Sequence, residues 1–135
     1  MVAATRLEPS LDPLALVVFD DDRVGTPIVD ALKNKGFRTF SIHSILGDSE
    51  SLGGLYPELI ILDIRRDLFA AAKTLAELAK RPLSPPVVLI ADEEDARRFA
   101  ARFRLLSVRS DTSKDELLRV VDRARREQRR PVAHS

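Results

Sequence analysis

The sequence predicts an α/β domain, a five-stranded parallel sheet in the order 2-1-3-4-5 between two layers of helices, on three observations. Five short aliphatic runs recur along the chain without polar alternation, as strands covered on both faces require. Segments of helical period lie between them. At 135 residues the chain has room for one such sheet and one core. Strands alternating with helices imply right-handed crossovers and a doubly wound sheet, for which 2-1-3-4-5 is a common order.

The opening residues 1–13, MVAATRLEPSLDP, lack the apolar centre of a signal peptide and carry Pro9 and Pro13, so they read as a loose leader. The domain is expected over residues 14–127, followed by a basic tail at 128–135. Residues 14–19 (LALVVF) form the first strand. Val24, Ile28, Ala31 and Leu32 then line one helical stripe, and Gly36 stands where a left-handed residue ends a helix. The second strand, residues 37–42, mixes in Arg38, Thr39 and Ser41 and is therefore placed at an edge. Residues 44–54, rich in Ser and Gly, are read as a short helix or a loop. The third strand is LIIL at 59–62. After it Leu68, Ala71, Ala72, Leu75, Leu78 and Ala79 form a stripe that Pro82 ends. The fourth strand is VVLIA at 87–91, followed by Ala96, Phe99, Ala100 and Phe103 at i, i+3, i+4 and i+7, with both phenylalanines expected to face the sheet. The fifth strand is LLSV at 105–108. The last helix opens on Ser113 and Glu116, spaced as a capping box, and turns Leu117, Leu118, Val120, Val121 and Ala124 inward.

Composition excludes several function classes. Hydrophobic residues at 44% and charged residues at 32% are ordinary for a globular domain, and a net charge of +1 gives no long-range pull toward nucleic acid or acidic lipid. Without cysteine there is neither a disulfide framework nor a thiolate metal site. No apolar run approaches the roughly 20 residues of a membrane helix. The expected location is cytoplasmic, with no membrane partner.

Ligands of such sheets bind beyond the C-terminal ends of the strands, and there the chain carries acid. Asp20, Asp21 and Asp22 follow the first strand and Asp63 ends the third, a neighbour of the first in the predicted order. An N-cap role for Asp22, before the helix near Val24, accounts for one of them. Carboxylates about 4 Å apart repel by about 1 kcal/mol in water and about 4 at an effective dielectric of 20. All-oxygen ligands favour a hard cation such as Mg²⁺, and a carboxylate so screened can act as a nucleophile toward a phosphoryl group. His43 and His134 have no partner at metal-ligand or triad spacing, and Gly53-Gly54 lacks the Lys and Ser/Thr of a phosphate loop.

These residues carry a resemblance. VVFDDDR, PELIILDIR, PPVVLIAD and KDELLRVVDRA resemble the first, third and fourth strands and the last helix of response-regulator receiver domains, over residues 14–125. The resemblance implies a flavodoxin-like three-layer αβα sandwich. It implies that Asp20, Asp21 and Asp63 hold Mg²⁺ and that the backbone carbonyl of Arg65 completes the metal site. Asp63 would accept a phosphoryl group from a sensor histidine kinase or an acyl phosphate. The sequence also departs from the pattern. Ala91 stands where receivers carry Thr or Ser, and Leu106 or Leu105 where they carry a switch aromatic. Arg109-Ser110 replaces Lys-Pro, and Arg65-Arg66-Asp67 stands in place of a Pro-Gly turn. Arg keeps the charge of Lys but not its compact ammonium.

The first expectation is therefore an atypical stand-alone receiver, not an enzyme, that signals through protein–protein contact with a degraded phosphorylation switch. Its candidate interaction face combines the helix near residues 94–103, the fifth strand and the last helix, exposing Arg97, Arg98, Arg102, Arg119 and Arg123 beside Glu94, Asp95, Glu116 and Asp122. Mixed charge of this kind suits a specificity rim for a homodimer or another signalling protein, and equally a solvated surface of weak ion pairs. The alternative is a phosphoacceptor shuttle that takes a phosphoryl group on Asp63 with Mg²⁺ and passes it on. Nucleic-acid binding would rest on RARREQRRP near the C-terminus. That stretch reads as a solvated helix end, because cations are favoured there and no aromatic residue interleaves for stacking.

Overall fold

The computed structural model describes residues 12–43, 57–79 and 85–128, without the side chains of residues 79 and 128. Its elements run β1 (Leu14–Val18), α1 (Asp22–Lys35), β2 (Arg38–Ile42), β3 (Leu59–Asp63), α2 (Leu68–Ala79), β4 (Val87–Ile90), α3 (Glu94–Arg102), β5 (Leu106–Val108) and α4 (Lys114–Gln128). The five strands are parallel in the order β2-β1-β3-β4-β5, as the alternation of strands and helices predicts. The segment at 44–54, Pro82, His134 and most of the leader and tail lie outside the described residues.

The aliphatic runs fall on the central strands because those strands face helices on both sides. Ala15, Val17, Leu59, Ile61, Val88 and Ile90 pack on α1 and α4, through Ile28, Leu32, Leu117 and Val121. Their strand neighbours Leu16, Ile60, Leu62, Val87 and Leu89 pack on α2 and α3, through Ala71, Leu75, Leu78, Ala96 and Ala100. Period two along a strand makes this division. Polar β2 lies at the sheet edge, with Arg38, Phe40 and Ser41 exposed.

Local signals end the helices where expected, with two differences. Gly36 is left-handed (φ 108°); its N–H donates to the Lys33 carbonyl and the Phe37 N–H to that of Leu32, closing a Schellman motif. Ser113 Oγ accepts from the Glu116 N–H at 3.1 Å, the first half of the capping box, while the Glu116 carboxylate pairs with Arg119. At α1 the cap is Asp21, not Asp22: Asp21 is extended and its side chain accepts from the Arg23 N–H, which leaves Asp22 as the first, exposed helical residue. The second difference concerns Phe103. Helix α3 stops at Arg102, so Phe103 sits at the C-cap, 45% exposed, before Arg104 turns the chain at φ 57°. Ala96 and Ala100 hold the sheet face, while Phe103 leans on half-buried Phe99 at 4.9 Å between ring centroids. Phe103→Ala is therefore expected to cost under about 1 kcal/mol in urea unfolding, not the roughly 3–5 of a buried aromatic.

Candidate functional site

The site lies where β1, β3 and β4 end. Val18 stands beside Leu62 and Asp63 beside Ile90, so the residues that follow β1 and β4 flank the aspartate. Beyond it, buried Ile64 donates to the Ile90 carbonyl, and the chain then folds back so that the Arg65 N–H reaches Asp63 Oδ1 at 3.0 Å.

That return brings the Arg65 side chain over the carboxylate. Nε donates to Asp63 Oδ1 at 2.9 Å and Nη2 to Oδ2 at 2.8 Å, the paired fork that guanidinium and carboxylate geometry favours. The Asp63 side chain is 4% exposed and that of Arg65 19%. Two further carboxylates reach the same guanidinium: Asp21 Oδ2 lies 3.6 Å from Nη2, and Asp92 Oδ2 3.9 Å from Nη1. The hydrogen bonds to Asp63, with the charges of all three carboxylates behind them, hold the Arg65 pKa above its ordinary value against the opposing effect of burial.

Each partner is positioned by its own element. As the α1 cap, Asp21 accepts from the Arg23 N–H at 3.0 Å, and that bond is the main cause of its lowered pKa. Burial pushes the Asp92 carboxyl up, but hydrogen bonds from the Ser110 hydroxyl (2.6 Å) and N–H (2.7 Å), with the charges of Arg65 and Arg109, bring it below the ordinary range. The Asp20 side chain is 49% exposed and lies 3.8 Å from Arg66. A cleft of about 220 Å³ beside Asp63 is lined in part by Asp20, His43, Arg66 and Thr74. His43 lies at the strand end, with Nδ1 3.2 Å from the Phe19 carbonyl oxygen.

The sequence places Asp63 and Asp21 at this site. It misses Asp92 and the Arg65 side chain; for Arg65 the resemblance implies a part for the backbone carbonyl alone. Asp92 ends the run VVLIAD, at the C-terminal end of a central strand where ligands of such sheets gather, and that position was the available signal.

No family model and no curated protein matches the chain, so the comparisons are structural. It superposes on a response regulator receiver protein from Burkholderia phymatum with a TM-score of 0.70 at 23% identity, covering 84% of this chain and 94% of that one. A putative response regulator from Chloroflexus aurantiacus gives a TM-score of 0.76 at 16% identity, covering 85% and 98%. The signal receiver domain of a putative Luxo repressor protein from Vibrio parahaemolyticus gives 0.73 at 16%, covering 87% and 93%. The fold is that of response-regulator receivers.

Within this receiver fold the positions singled out from the sequence can be placed. Ala91 is fully buried, and its N–H donates to the Val108 carbonyl at 2.9 Å. Leu106 is half-buried and stands beside Val88. Arg109 has Nε 3.2 Å from Asp111 and Nη1 3.3 Å from the Asp92 carbonyl oxygen. The positive charge against Asp63 comes from Arg65. The Mg²⁺ that the resemblance implies does not fit this arrangement: both Asp63 oxygens accept from Arg65, Asp20 lies against Arg66 at 3.8 Å, and among the described residues no three acidic or histidine side chains are grouped to hold a metal.

The arginines of the candidate face are exposed on α3 and α4, which flank β5. Arg98 pairs with Glu94 and Asp95, Arg119 with Glu116 and Arg123 with Glu127, all three or four residues apart on one helix, while Arg97 and Arg102 are exposed on α3. Among the described residues no helix is long and apolar enough to cross a membrane.

Proposed function

We propose that the chain is a receiver-type signalling module that acts through protein contact and carries a blunted phosphorylation switch. The observation that carries this reading is the Arg65 fork, which occupies both oxygens of Asp63, the aspartate that ends central strand β3. The switch positions support it. A receiver changes state when a ligand at the aspartate favours one conformation over the other. Ala91 has no hydroxyl to be drawn toward a phosphoryl group, and Leu106 no ring to rotate into vacated space. The partner is a sensor kinase, another signalling protein or a second copy of the chain, met on the mixed-charge face of α3, β5 and α4. Exposed pairs within one helix add little stability, which leaves these charges free to exchange partners at an interface.

The test compares amide spectra of the domain before and after beryllofluoride with Mg²⁺, and its intact mass after an acyl phosphate. Amides of residues 88–109 are expected to keep their positions. Displacement across β4, α3 and β5 would restore an ordinary switch, and a stable phosphoryl adduct on Asp63 without such displacement would favour the shuttle.

A further inference from the structure

We infer that the Arg65 guanidinium is the resident cation of the acidic site and excludes a divalent metal from it. The inference stands on geometry, not on the signalling role proposed above, and it is at odds with a Mg²⁺-dependent shuttle. Three carboxylates surround one guanidinium, at 2.8 Å for Asp63, 3.6 Å for Asp21 and 3.9 Å for Asp92. A metal ion would need the same oxygens. Asp63 offers two, and both accept from Arg65 in the fork geometry. Asp21 has one oxygen on the N-terminus of α1 and the other toward Arg65. Asp92 has both oxygens on Ser110.

Three features place Arg65 there as a built part of the fold. Its own N–H bonds the carboxylate it covers, so backbone and side chain close on Asp63 together. Its side chain is 19% exposed, less than those of the other arginines that pair near the site: Arg23 (91%), Arg66 (71%) and Arg109 (53%). Arg109 meanwhile points to Asp111, leaving the inner charge to Arg65. A guanidinium is weakly hydrated and always charged, so it enters such a pocket with less desolvation than a small divalent ion, which gives up water reluctantly. The chain thus meets the repulsion of its strand-end carboxylates with a covalently tethered cation.

The experiment is a thermal melt of the full chain, titrated with Mg²⁺ through the millimolar range, for the wild type and for Arg65→Met. A ligand that binds only the native state raises the melting temperature. The wild type is expected to show no saturable rise, and Arg65→Met a saturable one, its apparent affinity for Mg²⁺ at least about tenfold above that of the wild type. Arg65→Gln replaces Arg65→Met if the latter does not fold. Amide broadening by Mn²⁺ supplies an independent reading: residues 63–65 and 92 are expected to stay sharp in the wild type and to broaden in the variant. A saturable Mg²⁺ shift, or broadening at those amides, in the wild type would overturn the inference. So would a variant as indifferent to the metal as the wild type, since Arg65 would then not be what excludes it.

Discussion

Asp63→Asn is expected to destabilise the domain by about 2 kcal/mol in urea unfolding with EDTA present. The sign is informative. Unscreened carboxylates at the ends of β1 and β3 would repel, so neutralising one of them would stabilise the fold, and that is the outcome the sequence alone suggests. In the structure Asp63 is the best-placed partner of a largely buried guanidinium. Removing one member of a buried pair leaves the other uncompensated, at a typical cost of about 3–5 kcal/mol. The cost here is set lower because Arg65 keeps Asp21 and Asp92 nearby and is partly solvated. Arg65→Met should cost about 3 kcal/mol, since it leaves three carboxylates without their shared cation. The double variant should be more stable than the sum of the two losses by at least about 1 kcal/mol, the usual sign of direct coupling. An Asp63→Asn protein more stable than the wild type would mean that Arg65 does not settle on the carboxylate.

Gly25→Ala should cost about 2 kcal/mol or more, although Gly to Ala inside a helix ordinarily gains about 1. A Cβ at position 25 would overlap the Phe19 ring along one side, at Cγ, Cδ2 and Cε2. Phe19 is buried in the core shared by α1 and α4, so the whole side chain must move, not merely its tip. Overpacking of this kind typically costs about 1–3 kcal/mol, and here the residue displaced immediately precedes the acidic loop. Phe19→Leu in the same background should recover part of the loss, so that the double variant is less destabilised than the two single losses together. Measured additivity, or a stabilised Gly25→Ala, would show that Phe19 and Gly25 do not pack as described.

Most of the fold is determined by the sequence, because its signals are local or periodic. Five aliphatic runs place the strands, Gly36 ends α1, and the polar composition of β2 sends it to the edge. Those features follow from which backbone conformations and which faces each segment can hold. Even here one helix end is misjudged, since the period that runs through Phe103 does not know that the chain must leave α3 at Arg102 to reach β5. At the site, the chain order of the strands is enough to place Asp21 and Asp63 at neighbouring strand ends. What only the tertiary structure decided is how their charge is met. A long flexible arginine follows Asp63 by two residues and could as readily have faced solvent. Its direction depends on where Asp21 and Asp92 come to lie, and those arrive from β1 and β4 across the sheet. Asp92 in turn is held by Ser110 from beyond β5. A carboxylate's charge is written in its residue type, but the cation that screens it is chosen by distance, and distances between strands are set by the assembled sheet.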